Sequence, residues 1–246
     1  MLRVEKLAKS FAGFPAVGGA DLEVRPGEVV AVIGPNGAGK TTLFNLIAGQ
    51  LVPDAGRVVF QGEDIAGLPA HLVCRRGLAR SYQVVQIFSR LTVFENVQLA
   101  VLARRRQGAV LWRPAAGLAR EETRAILEAV GLEKLQGRLS GTLSHGDQKV
   151  LEMAIALGSR PRLLILDEPT AGMSPEETAR TLQLLQELNR QGLTILFCEH
   201  DMAMVFAIAD RIMVMHQGKT VIQGTPAEVR GDRRVQEAYL GAAEPC

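Results

Sequence analysis

Cysteine is scarce in this chain. The three cysteines, Cys74, Cys198 and Cys246, are odd in number and far apart in the sequence. Such cysteines do not make a disulfide framework, and their spacing does not suggest a zinc site. We therefore expect reduced thiols, as in a cytosolic protein.

Long apolar runs are also missing. No uninterrupted apolar stretch reaches the roughly 18 residues that a membrane-spanning helix needs, and residues 1–6 lack the apolar core of a signal peptide. The sequence predicts a chain that is soluble by itself.

An excess of charge of one sign is the third absence. Lysine and arginine total 28 against 26 acidic residues, so the net charge is +2. A protein that coats nucleic acid would carry a larger positive excess, and we therefore expect no nucleic-acid partner. What the chain does have is 246 residues of which 47% are hydrophobic, enough for a substantial buried core.

Three short apolar runs, at 28–33, 163–166 and 193–197, predict strands that are buried on both faces. Helical spacing follows the first run over 40–48, and a capping box of Ser174 and Glu177 with Pro175 between them predicts a helix that extends to about Asn189. This alternation of strands and helices predicts an α/β fold with a mostly parallel core sheet.

The flanking segments have other patterns. Residues 2–24 alternate in short apolar pieces between turn residues, which predicts antiparallel strands, and two further short strands are expected around Gln217 and Gly218. Residues 93–106 and 118–130 have helical periodicity. We expect a single domain over 1–246, with an inserted helical subdomain at about 84–158.

A phosphate-binding loop is predicted between the first buried strand and its helix. Its residues are Gly34, Pro35, Asn36, Gly37, Ala38, Gly39, Lys40 and Thr41. Glycines let backbone N–H groups converge on a phosphate at the positive end of a helix, Lys40 can reach the β and γ phosphates, and Thr41 can ligate magnesium. The alternative is a glycine-rich turn that binds no ligand.

Acidic and histidine side chains follow the other two buried strands. Asp167 and Glu168 come directly after the second strand, and His200 follows the third. The carboxyl ends of strands in such a sheet are where ligands bind. We expect Asp167 to organise magnesium, Glu168 to be the general base and His200 to face the γ-phosphate, although the acidic pair could also only cap the next element.

A second anion site is possible at Ser144. The segment Leu143, Ser144, His145, Gly146, Asp147 and Gln148 precedes a helix. The serine hydroxyl and the free N–H groups could hold a phosphate, or Ser144 could simply be the helix N-cap. These residues alone do not separate the two interpretations.

In their order along the chain, these motifs resemble those of ABC-transporter ATPases over the whole length. The resemblance implies an ABC cassette of the P-loop NTPase fold that binds ATP and Mg²⁺, with Thr41, Gln83 and Asp167 at the metal. It also implies that Phe11, or alternatively Phe14, stacks on adenine, and that Val17 and Thr42 contact the nucleotide.

By the same resemblance Ser144 and Gly146 belong to the signature motif and serve the nucleotide of a partner subunit. His145, Asp147 and Ser174 depart from the family's usual Gly, Gln and Asp.

Within that family, residues 79–83, 91–97, 171–175 and 235–241 resemble those of branched-chain amino-acid importers, with urea and short-amide importers closely similar. The resemblance implies a head-to-tail dimer of ATPase subunits, identical or different, two transmembrane permease subunits and an extracytoplasmic binding protein. The chain would then lie at the cytoplasmic face of the membrane, and the surface around Gln83 and 91–97 would dock a permease, unless its apolar residues are internal core.

Other functions fit the sequence less well. A soluble ABC ATPase that remodels nucleic acid or ribosomes usually has two cassettes or a long coiled coil, and the interval from Thr42 to Leu143 has room for neither. A degenerate cassette would lack Lys40, Glu168 or His200. The basic run 104–106 is expected to be a solvated face, with contact to acidic lipids as the alternative.

Overall fold

The computed structural model describes residues 1–81, 86–105 and 118–235. In chain order its strands are β1 (Leu2–Phe11), β2 (Phe14–Val24), β3 (Val29–Ile33), β4 (Ala55–Phe60), β5 (Glu63–Asp64), β6 (Leu78–Arg80), β7 (Leu163–Asp167), β8 (Thr194–Cys198), β9 (Arg211–His216) and β10 (Lys219–Gly224). Its α-helices are α1 (Lys40–Ile47), α2 (Ala70–Arg75), α3 (Val93–Arg104), α4 (Arg120–Ala129), α5 (His145–Gly158), α6 (Pro175–Arg190), α7 (Met202–Ile208) and α8 (Pro226–Gly231).

A six-stranded sheet in the order β10-β9-β3-β8-β7-β6 forms the centre of the described chain. Strands β9, β3, β8, β7 and β6 are parallel to one another, and β10 is antiparallel to β9. All residues of β3, β7 and β8 are buried, because apolar layers cover both faces of these strands. The predicted α/β fold is thus confirmed, and the carboxyl ends of β3, β7 and β8 meet at one edge of the sheet.

A second sheet, β2-β1-β4-β5, is antiparallel throughout. Its hairpin of β1 and β2 was predicted, whereas β4 and β5 were not. The side chain of Thr220 in β10 bonds to both the backbone N–H and the carbonyl of Asp21, at 3.0 and 2.7 Å. Gln223 does the same at Glu23, so the first hairpin is attached to the last strand.

Helices α3, α4 and α5 pack on one another around a small apolar core of their own, which includes Val93, Val97, Leu127, Leu151 and Ala154. The Thr92–Glu95 capping box starts α3. The two helices predicted at 93–106 and 118–130 correspond to α3 and α4, and the limits of the inserted subdomain stay a prediction.

Local sequence signals account for the ends of two helices. Helix α1 stops before Gly49, which has a φ of +72° and can therefore reverse the chain. Helix α6 begins with the predicted capping box of Ser174 and Glu177. In the described ranges we find no helix with the length and apolar character that would let it cross a membrane.

Candidate active site

The phosphate loop lies between β3 and α1 as predicted, and two of its glycines contact backbone from distant segments. Gly39 has a φ of +99°, and a Cβ there would lie 2.3 Å from the carbonyl oxygen of Ala16. A Cβ on Gly34 would lie 2.2 Å from the carbonyl oxygen of Met215. Glycine is needed at both positions because no side chain could fit against this backbone.

Lys40 begins α1 and folds back onto the loop. Its Nζ donates to the carbonyl oxygens of Gly34, at 2.7 Å, and Pro35, at 3.1 Å. Burial lowers the pKa of Lys40, and the neighbouring carboxylates of Glu168 and Asp167 oppose this effect. The ammonium is thus held at the loop by acceptors that a phosphate could replace. Of the loop's other polar side chains, Asn36 and Thr41 are exposed and Thr42 is half-buried.

Asp167 is buried at the end of β7 and has a partner on each carboxylate oxygen. Arg80 in β6 donates to Oδ2 at 2.8 Å, and the Cys198 thiol donates to Oδ1 at 2.9 Å. Arg80 also donates to Asn45 of α1 at 2.6 Å. Burial and the neighbouring Asp167 raise the pKa of Cys198 well above its ordinary value, which keeps the sulfur protonated as a donor. Arg80, Asn45 and Cys198 were not predicted as site residues from the sequence.

Glu168 and His200 meet at the edge of the sheet. The distance between Glu168 Oε1 and His200 Nε2 is 3.0 Å. The histidine side chain is 48% exposed and that of Glu168 19%, so the pair opens toward the surface where a substrate could approach. The structure therefore brings together two residues that the sequence placed after separate strands.

Glu199 is a further buried carboxylate, and it too was not predicted from the sequence. Its Oε1 accepts from the backbone N–H and the hydroxyl of Thr170, at 2.8 and 2.7 Å, and its Oε2 accepts from the N–H of His200 at 3.2 Å. Glu199 thus connects the loop after Glu168 to the backbone of His200.

Ser144 is the N-cap of α5. Its hydroxyl accepts from the N–H of Asp147 at 3.1 Å and donates to Glu177 Oε1 at 3.4 Å. Gly146 is buried against the same carboxylate, and a Cβ there would lie 2.4 Å from Glu177 Oε1. The N-cap interpretation is confirmed, and binding of a partner's phosphate stays a prediction.

The other predicted nucleotide contacts lie around the β1–β2 hairpin. Phe11 and Phe14 face each other across its turn and are 45% and 78% exposed. Val17 is 1% exposed and packs in the core, so its side chain offers little surface to a nucleotide in this conformation. Gln83 lies outside the described residues.

Known proteins are similar to this chain in sequence and in fold. Residues 17–171 match the ABC transporter family, and residues 223–245 match the segment described as branched-chain amino acid ATP-binding cassette transporter. The high-affinity branched-chain amino acid transport ATP-binding protein BraF of Pseudomonas aeruginosa is 40% identical, covering 99% of this chain and 98% of BraF. The lipopolysaccharide export system ATP-binding protein LptB of Haemophilus influenzae is 35% identical, and the match covers 98% of this chain and 97% of LptB.

A solved structure of the ADP conformation of MJ1267, an ATP-binding cassette of an ABC transporter, superimposes with a TM-score of 0.86. It is 33% identical, and the match covers 98% of both chains. The phosphate loop, the Asp167–Glu168 pair and these matches together define the class: the chain belongs to the ABC transporter family. It is an ATP-binding subunit and an ATPase.

Proposed function

We propose that this subunit hydrolyses ATP at Glu168 and His200 in order to power the import of branched-chain amino acids through separate permease subunits. The observation that carries the catalytic part is the 3.0 Å contact between Glu168 and His200 at the sheet edge that also holds the phosphate loop and Asp167. The C-terminal family match and the 40% identity to BraF support this class of cargo.

Lys40 is the residue that we assign to the β and γ phosphates. Its ammonium already lies in the loop, bound to two carbonyl oxygens, and binding of ATP would exchange these acceptors for phosphate oxygens. The charge-assisted bonds that result are stronger than bonds to neutral carbonyls. Phe11, at the exposed end of the hairpin, is assigned to the adenine ring.

We assign magnesium to the Thr41 hydroxyl and the Asp167 carboxylate, with Gln83 as a further ligand. Hydroxyl and carboxylate oxygens are ligands that Mg²⁺ prefers, and the ion commonly binds through one or two such groups together with substrate phosphates. The donor set therefore fits the ion. When bound, magnesium would neutralise charge that develops on the phosphates. Asp167 would then have to share its oxygens, which now accept from Arg80 and Cys198, with the ion.

Glu168 is the proposed general base, which accepts a proton from the attacking water. His200 contacts the same carboxylate and faces outward, so it can orient the water or contact the γ-phosphate. A positioned base of this kind contributes typically about 10²–10⁴ in rate. Glu199 accepts hydrogen bonds from the backbone of His200 and of Thr170, and so fixes His200 relative to the loop after Glu168.

The partners that we propose are a second ATPase subunit, two permeases and, indirectly, an extracytoplasmic binding protein. In a head-to-tail dimer the Ser144 hydroxyl and the N-terminus of α5 would face the partner's phosphates, and Ser144 would then release its 3.4 Å bond to Glu177. The subunit would lie at the cytoplasmic face of the membrane, where ATP is present.

A reconstituted transporter tests this function. We expect proteoliposomes with this chain, its permeases and its binding protein to take up radiolabelled leucine on addition of MgATP. Glu168→Gln should abolish both uptake and hydrolysis while ATP still binds, because glutamine preserves size but cannot act as a base. An ATP-bound dimer should then accumulate in gel filtration.

Glu128→Gln is the matched control, since Glu128 is an exposed glutamate of α4. It should leave uptake and hydrolysis unchanged. Wild-type turnover by the Glu168→Gln variant would refute the assignment of the base. Uptake of urea but not leucine would retain the ATPase and overturn the proposed cargo, and ATP-dependent export would overturn the proposed direction of transport.

A further inference from the structure

The backbone of Glu168 is in an unusual conformation. Its φ is +51°, in the left-handed region that a residue with a Cβ rarely adopts. Such a conformation persists only where surrounding contacts hold it, and residues of this kind are concentrated at functional sites. The contacts that hold Glu168 therefore help to aim its carboxylate.

Within the described part of the chain, three hydrogen bonds fix the two backbone groups of Glu168. Its N–H donates to the carbonyl of Cys198 at 3.1 Å, and its carbonyl accepts from the N–H of Ala171 at 3.2 Å. The third is the shortest: Lys149 Nζ donates to the same carbonyl at 2.7 Å. A side chain from another element thus contributes directly to the backbone geometry of the base.

Lys149 lies in the second turn of α5, five residues after the N-cap Ser144. It is 6% exposed, which is unusual for lysine. Burial lowers the pKa of Lys149, and four surrounding carboxylates oppose this, those of Glu199, Glu168, Glu152 and Asp167. The ammonium is thus enclosed beside the site, with its 2.7 Å bond directed at a backbone carbonyl.

We propose that Lys149 is a positioning residue for ATP hydrolysis, which holds Glu168 in its left-handed conformation. The inference rests on the proposed role of Glu168 as the base. Because α5 begins just after Ser144, Lys149 also joins the helix that carries the signature serine to the base of the same subunit. A shift of α5 would change the geometry of Glu168 without any contact between Lys149 and ATP.

The alternative is that Lys149 only holds α5 against β7. Both roles predict some loss of stability when the side chain is changed. They differ in how the change acts on catalysis, because a positioning residue acts through Glu168 and a purely structural one does not.

The first test compares Lys149→Met with Lys149→Arg in the full-length chain. Methionine has a similar length but no donor, so we expect kcat to fall between about 10-fold and 100-fold, the range that follows from small misplacement of a catalytic group. The dissociation constant for MgADP should change by less than about 2-fold, since the Lys149 ammonium is buried and bonded to a backbone carbonyl of the protein. Arginine retains N–H donors and should restore most of kcat.

Lys134→Met is the matched control, because Lys134 is an exposed lysine in the same part of the chain. It should leave kcat unchanged. Wild-type kcat in Lys149→Met would overturn the proposal, and so would a Lys149→Arg variant as slow as Lys149→Met.

The second test is a double-mutant cycle with Glu168→Gln, measured by single-turnover hydrolysis. A residue that acts through Glu168 has nothing left to position when the base is absent, so adding Lys149→Met should change the residual rate by less than about 2-fold. If Lys149→Met instead lowered the residual rate of Glu168→Gln by the same factor as it lowers the wild-type rate, the two residues would act independently and the proposal would be overturned. If Glu168→Gln alone turned over at the wild-type rate, the proposed function would fail instead.

If Lys149→Met does not fold, Lys149→Leu, which also has no donor, takes its place in both tests. A crystal structure of whichever variant folds gives a direct measurement. We expect the φ of Glu168 to leave the left-handed region and the distance between Glu168 Oε1 and His200 Nε2 to lengthen. An unchanged Glu168 would overturn the proposal.

Discussion

At the scale of single residues, two glycines of the phosphate loop, Gly37 and Gly39, share a left-handed backbone conformation but differ in what surrounds them. Gly39 combines a φ of +99° with a close approach to Ala16, whose carbonyl oxygen would lie 2.3 Å from an added Cβ. Gly37 has a φ of +79°, and a Cβ added there would meet no atom of the described residues within 4 Å apart from those of its chain neighbours. A side chain at Gly39 therefore adds steric overlap to backbone strain, and one at Gly37 adds strain alone.

We expect Gly37→Ala to lower the free energy of unfolding by about 1 kcal/mol, the lower end of the cost of a left-handed conformation in a residue with a Cβ. Gly39→Ala should cost at least about twice as much, because the loop must also move away from Ala16. Urea unfolding of both variants measures the difference. Equal losses would show that the close approach at Gly39 does not affect stability.

The sequence predicted Lys40, Asp167, Glu168 and His200 because each is marked by its immediate neighbours, a glycine loop or a buried strand. Arg80, Asn45 and Lys149 have no such local marks, and Cys198 and Glu199 lie beside the same buried strand as His200 without a residue type that would single them out. Each acquires its role from a group elsewhere in the chain, as when Lys149 of α5 reaches the carbonyl of Glu168. A pattern along the chain does not specify which side chain lies opposite.

At the scale of elements, strands β3, β7 and β8 were predictable because each is a buried apolar run. Strand β6 has three residues, and its place is set by parallel pairing with β7. Strand β4 begins with the exposed residues Ala55, Gly56 and Arg57, which give no alternating pattern. Both strands take their conformation from partners rather than from their own sequence.

A groove beside α3 is the surface that we expect to dock a permease. Leu91, Phe94, Leu99 and Leu102 lie along it, with polar residues of α4 on the other side. Leu99 is 43% exposed. Leu99→Glu should reduce leucine uptake several-fold while ATP hydrolysis and the unfolding transition stay unchanged, because a charge in the groove opposes burial of an apolar partner.

Val52→Glu is the control for that variant, since Val52 is an exposed aliphatic residue outside the groove, 64% exposed. Leucine uptake by a transporter with the Val52→Glu variant should be normal. If Leu99→Glu transports as well as Val52→Glu does, the permease docks on another surface.

At the scale of the whole molecule, nucleotide binding should stabilise the fold, because a ligand that binds only the folded state adds to its stability. At 100 times the dissociation constant the gain is about 2.7 kcal/mol, and for a chain of this size each kcal/mol raises Tm by about 2–4 °C. We expect MgADP to raise the Tm of wild type and of Lys134→Ala by several degrees. Lys40→Ala should show little shift, since its charge is lost, and an equal shift would place the phosphate site elsewhere.

Some backbone contacts of the phosphate loop are made with residues far along the chain, and this has a consequence for synthesis. Gly34 packs against Met215, and the N–H of Gly218 donates to the carbonyl of Ala38 at 3.0 Å. A ribosome that adds about 5–20 residues per second needs roughly ten to forty seconds to go from the loop to these residues. During that interval the nascent loop has its contact with Ala16 but not those with Met215 and Gly218, so we expect it to bind ATP only after these residues have been added.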